Sequence, residues 1–401
     1  MALTDFKPQF DNAYQEIFQK VLVSKEIANT RFEKVLKYGE SVERVLPDIS
    51  SVYVRTVSRG SNSTFDSITD SSELLNIDLE KEVSIRISDG EVTQAGPLNP
   101  IEWFGAEIAH KLATDLDARF FAEVRNAAYT FDTGDLTTLA STGVPFAESS
   151  TTVPQMVARM PAKLRRNNQG LMNLCFVTDS YGLAEITQYI MGKNIDLAGY
   201  AFANGYAGDM ATAKIYVSEN LTGSALLSMA TQPTDGDTVT ISGVTFTFKT
   251  TLGSTAGNVL IGGSADAARA NLAALINDPT TTTSEGVALS AADQATVQQV
   301  LRLAATNDNT ANTMEVVGTG SGALTVSETF TDVTDAWSRN CVHAYFGKKG
   351  AIDMVVQDMK ESDMRPASEQ RATNVFASYL AGIKTFTDGS KKFLNVKLAR
   401  A

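Results

Sequence analysis

Residues that form disulfides or bind metals are scarce in this chain of 401 residues. It has two cysteines, Cys175 and Cys341, and two histidines, His110 and His343. Their spacing matches no zinc-site pattern, and each cysteine lies in an apolar run typical of a buried strand. We therefore expect buried free thiols in a reducing compartment, with a disulfide as the alternative, and we expect no metal or cofactor.

Long apolar runs and enzyme signatures are also missing. No run of roughly eighteen apolar residues predicts a transmembrane helix, and the N-terminus lacks the pattern of a secretory signal. There is no Gly-x-Ser-x-Gly elbow and no His-Glu-x-x-His motif, and the turn at Gly262 lacks the lysine of a phosphate loop. In a chain of this length, these absences favour a structural role over an enzyme and predict no membrane partner.

Positive charge is in short supply, since the net charge is −12. This balance disfavours a protein that grips nucleic acid, although it allows one that encloses it. The densest basic groups are 163–166 and Lys391 with Lys392. We interpret both as solvated faces, with a contact to nucleic acid or to a partner as the alternative.

What the chain does contain is a long alternating segment at 76–88, with apolar residues at odd positions except Lys81. Such alternation marks a strand with one covered face, here roughly 40 Å long. Residues 52–59 also look extended, and together the two segments predict a ribbon. A ribbon of two strands is marginally stable alone, so we expect its apolar face to lie on a neighbouring copy. The candidate contact residues are Arg55, Arg59, Ile77, Leu79, Lys81, Val83, Ile85, Arg86 and Ile87.

A long helix follows the ribbon. Asn99 can cap it, Pro100 suits its first position, and Glu102 lies three residues after the cap. Apolar residues then recur every fourth position from Phe104 to Val124, which predicts a helix of roughly 40 Å with one buried stripe. An ordinary amphipathic core helix is the simpler interpretation of this segment alone.

The rest of the chain divides by composition. Residues 235–332 contain ten acidic and three basic residues, together with a hairpin signal at Ser242-Gly243 and a helix cap at Ser264. This stretch looks like a small α+β domain inserted into an α/β domain, whose strands on either side of the insert should pair. The predicted segments are an arm (1–48), an extended hairpin (49–99), a long helix with its domain (100–153), a split α/β domain (154–224 and 337–401) and an insertion domain (225–336).

This order of segments resembles a tailed-bacteriophage major capsid protein of the Hong Kong 97 type. The resemblance also rests on the strings 171–179, 208–221 and 343–357, and it covers residues 1–222 and 337–401. It implies an α+β fold with an N-terminal arm, an extended hairpin called the E-loop, a peripheral domain with a long spine helix, and an axial domain. The insert falls outside the resemblance.

The resemblance implies a subunit that self-assembles, as hexamers and pentamers, into an icosahedral shell around double-stranded DNA. Such a shell is assembled in the host cytoplasm and ends in the virion. It also implies a scaffolding protein and a portal as partners, and a decoration protein as a further one. Some relatives cross-link through a ribbon lysine, but for Lys81 we expect a salt bridge. Since the chain begins at Met1, we expect no proteolytic loss of its N-terminus.

Two other functions stay open. An encapsulin-like nanocompartment shares the fold, although the insert and the long arm count against it. An enzyme built on the α/β domain is the third reading, and the missing catalytic residues disfavour it.

Overall fold

The fold is taken from a computed structural model. It is described for residues 22–33, 40–48, 52–56, 59–60, 62, 65–88, 100–191, 206–210, 213–366 and 372–400. The helices are α1 (Ser24–Ile27), α2 (Pro100–Ala122), α3 (Thr152–Arg166), α4 (Ser180–Met191), α5 (Ala265–Asn277), α6 (Ala291–Ala295) and α7 (Thr387–Ser390). Short 3-10 turns span Glu123–Asn126 and Thr133–Leu136, and a π turn spans Thr296–Val300.

The strands fall into four sheets. They are β1 (Ser41–Asp48), β2 (Thr69–Asn76), β3 (Leu79–Ser88), β4 (Tyr129–Phe131), β5 (Leu174–Thr178), β6 (Tyr206–Met210), β7 (Ala213–Val217), β8 (Thr222–Ser228), β9 (Thr238–Ile241), β10 (Val244–Lys249), β11 (Asn258–Leu260), β12 (Leu303–Asp308), β13 (Thr313–Gly318), β14 (Val326–Glu328), β15 (Ala336–Lys348), β16 (Asp353–Pro366), β17 (Ala372–Lys384) and β18 (Phe393–Ala399).

The extended hairpin is made by other strands than those the sequence predicts. β1 pairs with β2 in antiparallel register, from Ser41 opposite Asn76 to Asp48 opposite Thr69. The described residues 52–56 form no strand, so the predicted first strand is wrong. The hairpin therefore starts inside the segment that was expected to be an arm.

Strand β3, the alternating segment, pairs with β17 of the same chain, with Leu79 opposite Ala381. Leu79, Val83 and Ile85 pack against the main core, to which α2 and β17 also contribute. Ile77 is 9% exposed and packs in a smaller cluster of the same chain. The chain's own core thus covers part of this face and leaves Leu79, Val83 and Ile85 half-buried. A contact of the same face with a neighbouring copy stays a prediction.

Helix α2 begins at Pro100, as predicted, and continues through the 3-10 turn that ends at Asn126. The four-residue spacing drifts only slowly around a helix, so one stripe faces the core. Along this stripe the side chains of Ile108, Leu112, Leu116, Phe120 and Val124 are buried. Asn99 and the side chains of 101–106 lie outside the described residues.

The largest sheet joins the two halves of the split domain. Its order is β12-β13-β8-β15-β5-β7-β6, and β18 lies against the other edge of β15. The long strand β15 pairs with β5, which precedes the insert, and with β8, which runs from before the insert into its first residues. The expected pairing across the insert is therefore confirmed.

Residues 225–336, hereafter the 225–336 region, enclose a second apolar core. The hairpin β9–β10 turns at Ser242 and Gly243, both with positive φ, and Ser264 caps α5 by accepting a hydrogen bond from the N–H of Ala267. β12 and β13 nonetheless extend the largest sheet through β8. The region has its own core but shares a sheet with the rest of the chain.

The 225–336 region also rests on helix α2. Arg302 pairs with Asp115 at 2.5 Å, and Glu315 pairs with Arg125 at 2.8 Å. Gly320 has a φ of +71°, and a Cβ at this position would overlap the Cβ of Ala118. A glycine is thus needed where the loop between β13 and β14 crosses the helix.

Candidate assembly surfaces

The hairpin β1–β2 and its tip carry a cluster of exposed apolar side chains. Val54 is fully exposed and Phe65 is 91% exposed. Single exposed apolar residues are ordinary, but an extended group of them marks an interaction surface. We name this group the hairpin patch, and its members are Val45, Val52, Tyr53, Val54, Phe65, Ile68 and Leu74.

The base of the hairpin is fastened to the body of the same subunit. Arg44 in β1 pairs with Asp388 at 2.6 Å, and its guanidinium lies 5.1 Å from the centre of the Phe386 ring. In β2, the backbone oxygen of Leu74 accepts a hydrogen bond from Lys384 Nζ at 2.6 Å. Polar contacts on both strands therefore set the direction in which the hairpin leaves the body.

The two sides of the tip are linked through one carboxylate. Asp66 accepts a hydrogen bond of 2.9 Å from the backbone N–H of Tyr53 and forms an ion pair with Arg55. These contacts cross between the segment after β1 and the segment before β2. They fix the backbone of Tyr53, a member of the hairpin patch, relative to the segment before β2.

The sequence-predicted contact residues do not form one surface. Arg55 and Arg59 belong to the hairpin tip, where both are exposed. By contrast, Ile77 just before β3 is buried, and Leu79, Val83 and Ile85 in β3 are half-buried and pack against the core of the same chain.

Three predicted contact residues remain on β3. Lys81 lies opposite Tyr379 in β17, and Arg86 Nε donates a hydrogen bond to Asn374 Oδ1 at 2.9 Å. Only the backbone of Ile87 is described. Contacts from these residues to another subunit stay a prediction.

Sequence reasoning missed the hairpin patch. β1 and β2 show no strict alternation, and β1 includes Pro47 near its end. Proline is confined to strand edges and ends, so it argues against a central strand in a pattern search. The signal that could have located the patch is apolar residues set among polar ones on both sides of Gly60.

A buried carboxylate on α2 holds the segment that precedes the hairpin. Asp117 is fully buried and accepts hydrogen bonds from the backbone N–H groups of Val23 (3.1 Å) and Ser24 (3.0 Å). Burial raises the pKa of Asp117 to about 6, although these donors act in the opposite direction. Leu22 and Ile27, on either side, are buried in the main core.

One buried hydrogen-bond network resembles a hydrolytic triad. His343 Nε2 lies 2.9 Å from Ser224 Oγ, and His343 Nδ1 lies 2.9 Å from Asn395 Oδ1. All three side chains are buried, and burial lowers the pKa of His343 to about 3, so the imidazole is neutral near pH 7. Since the residues come from the neighbouring strands β8, β15 and β18, the network ties the sheet together.

No group of three or more histidine, cysteine, aspartate or glutamate side chains is placed to hold a metal ion within the described part of the chain. No described helix is long and apolar enough to span a membrane.

No family model and no curated protein matches this sequence. Among solved structures, one from Mycobacterium phage Che8 is 13% identical, with a TM-score of 0.48 over 93% of this chain and 90% of that one. The capsid structure of cyanophage P-SCSP1u is 12% identical, with a TM-score of 0.49 over 95% of this chain and 89% of that one. A virus-like particle from Pyrococcus furiosus is 7% identical, with a TM-score of 0.42 over 98% and 99% of the two chains. Identities of 13%, 12% and 7% do not assign a function to this chain.

Proposed function

We propose that this protein is the major capsid protein of a tailed phage, which assembles with copies of itself into an icosahedral shell. The observation that carries the proposal is the hairpin patch, which is apolar, exposed and carried on a hairpin fastened at its base. Leaving such side chains in water is unfavourable, and burying them against another molecule is the usual remedy. Within the fold proposed here, that molecule is a second copy of the chain.

In this proposal the elements take the roles of a Hong Kong 97-type subunit. The hairpin β1–β2 with its tip is the E-loop, α2 is the spine helix, and the sheet around β5, β7 and β15 belongs to the axial domain. The 225–336 region is an insertion that faces the outside of the shell. Subunits arranged as hexamers and pentamers close the shell, and each hairpin reaches over an adjacent subunit.

The proposed contents of the shell are double-stranded DNA. A chain with a net charge of −12 suits this role, since packed DNA must move past the wall without being held strongly. We further propose that assembly takes place in the host cytoplasm with a scaffolding protein and a portal.

The mass of the purified full-length chain tests the shell directly. Light scattering and negative-stain images should show closed particles of megadalton mass, formed alone or with a scaffolding protein. A monomer under every condition of salt and concentration, with scaffold present, would contradict the proposal. Particles from the native host, treated with nuclease and then opened, should release long double-stranded DNA. Release of a cargo protein without DNA would instead identify a nanocompartment.

A further inference from the structure

Two basic groups that are far apart in the sequence meet on one side of the folded chain. Lys163 and Arg166, near the end of α3, line an open cleft of about 440 Å³ together with Ala128. The backbone N–H of Ala128 donates a hydrogen bond of 2.9 Å to the carbonyl of Ser390, the residue before Lys391. The first basic group thus lines the cleft, and the backbone of the second lies next to it.

A third pair of lysines joins them from the turn after β15. The backbone N–H of Lys348 donates to the carbonyl of Lys392 at 3.1 Å, and the N–H of Lys349 donates to the carbonyl of Asn173 at 2.9 Å. A Cβ placed on Gly170 would lie 3.4 Å from Lys348 Nζ, which puts this ammonium beside the turn that follows α3. Three separate segments therefore contribute cations to the same neighbourhood.

Three of these basic side chains form ion pairs with nearby carboxylates. The ion pairs are Lys163 with Asp135 at 2.5 Å, Lys392 with Asp388 at 2.8 Å and Lys349 with Glu26 at 3.6 Å. Lys163 also donates to Ser141 Oγ and to the Thr130 carbonyl, so its ammonium is fully used. It supports the cleft and does not bind a ligand.

Four bases remain, and we call them the basic face: Arg165, Arg166, Lys348 and Lys391. No ion pair engages any of them within the described residues. Arg165, Arg166 and Lys391 are exposed, and Lys348 is half-buried. In a chain of net charge −12, this is a local surplus of positive charge.

We propose that the basic face binds the phosphate backbone of nucleic acid, without reading its sequence. Long cationic side chains on a polar surface are the usual ligands of phosphodiesters, whereas lysine is depleted from contacts between proteins. This inference rests on the proposed shell function, in which DNA is the enclosed polyanion. The overall negative charge keeps the contact weak and sensitive to salt.

The test uses the full-length chain below its assembly concentration and a fluorescent duplex of random sequence. Fluorescence anisotropy at rising salt gives the apparent affinity and its salt dependence. Removing three cations with Arg165→Gln, Lys348→Gln and Lys391→Gln should make the negative slope of log affinity against log salt shallower by roughly 2 to 3. Affinity at low salt should fall on the order of tenfold or more.

The control removes the same charge elsewhere, with Lys111→Gln, Lys214→Gln and Lys249→Gln. Both triple variants should unfold at the temperature of the parent, and the control should keep most of the parent's affinity. Equal losses in the two variants, or no binding by the parent at low salt, would overturn the assignment. So would equal competition by polyglutamate, since the partner would then be an acidic protein surface.

Failure of the basic face and failure of the shell function give different experimental results. Subunits that form shells but do not bind the duplex leave the shell function standing and refute the basic face. A chain that binds the duplex through these bases but never forms a particle refutes the shell function instead.

Discussion

The hairpin β1–β2 and the strand β3 follow each other in the chain, yet most apolar side chains of the hairpin and its tip are exposed, whereas those of β3 pack on the core. β3 alternates strictly, and its apolar residues pack on the core of the same subunit. The hairpin and its tip alternate poorly, and Val54 and Phe65 face solvent. Strict alternation thus marks a strand that packs on the core of its own chain. The exposed hairpin patch lies in segments without such alternation.

The difference has a physical origin. A strand that joins a sheet over a core must bury every second side chain, so its sequence is constrained along the whole length. A hairpin that meets another molecule at a few places needs apolar residues only at those places. Inspection for alternation finds the first kind of strand and overlooks the second.

The largest effect should come from charges placed in the hairpin patch. Val54→Asp with Phe65→Asp should abolish particles while leaving the subunit's unfolding midpoint unchanged, because both side chains are exposed in the subunit. Sedimentation velocity and negative-stain images report assembly. The matched control is Met172→Asp with Val333→Asp, which changes equally exposed apolar residues outside the hairpin. Loss of particles in both variants would show that the hairpin patch has no special role.

A charge on the covered face of β3 should act on the subunit. Ile85→Asp should lower the free energy of unfolding by about 3 kcal/mol, since it buries a carboxylate against the core. Urea denaturation followed by circular dichroism measures this change. Ser84→Asp, on the exposed face of the same strand, should change it by less than about 0.5 kcal/mol. If the Ile85→Asp variant keeps the parent's stability but fails to assemble, this face contacts another copy of the chain.

The segment 22–28 is held against the core, because the backbone N–H groups of Val23 and Ser24 donate hydrogen bonds to Asp117. Burial raises the pKa of this carboxyl from its ordinary 3.8 to about 6, so the folded state holds the proton more tightly than the unfolded chain. The stability it contributes is complete below about pH 4 and is lost as the pH rises through 6. Asp117→Asn should reduce the fall in unfolding free energy between pH 4 and 7 by on the order of 2 kcal/mol. The control is Asp78→Asn, which changes an exposed carboxylate. If Asp117→Asn alters the pH dependence of stability no more than this control does, the account is wrong.

The smallest effect should come from the base of the hairpin. Arg44→Ala removes a partly exposed ion pair and should cost about 1 kcal/mol or less. Hydrogen exchange should increase in β1 and β2 but not in β3, because β3 belongs to a different sheet. Glu43→Ala, an exposed neighbour, is the control. Equal increases in β3 would mean that hairpin and strand open as one unit.

Elements that bury a periodic face could be predicted from sequence. The stripe on α2, the hairpin at Ser242-Gly243 and the cap at Ser264 all follow from local rules, and the structure confirms them. Each depends on contacts within a few residues or within one helix.

Apart from the pairing across the insert, features that depend on distant partners could not be predicted. The pairing of β3 with β17 joins residues almost three hundred positions apart, and alternation cannot say which strand covers a face. The basic face draws on three segments. The sequence pointed to 163–166 and to Lys391 with Lys392 as basic groups, but it could not show that they meet or that Lys348 joins them. The hairpin patch leaves no periodic trace because the subunit does not cover it.

The sheet that the 225–336 region shares with the rest of the chain limits how this region can be exchanged in evolution. A domain tied to its host by two loops can be swapped between relatives as a cassette. Here β13 completes its hydrogen bonding on β8, and β8 lies against β15. A viable exchange would have to carry these strands along, so recombination should favour breakpoints beyond β8 and β15 over breakpoints at the ends of the 225–336 region.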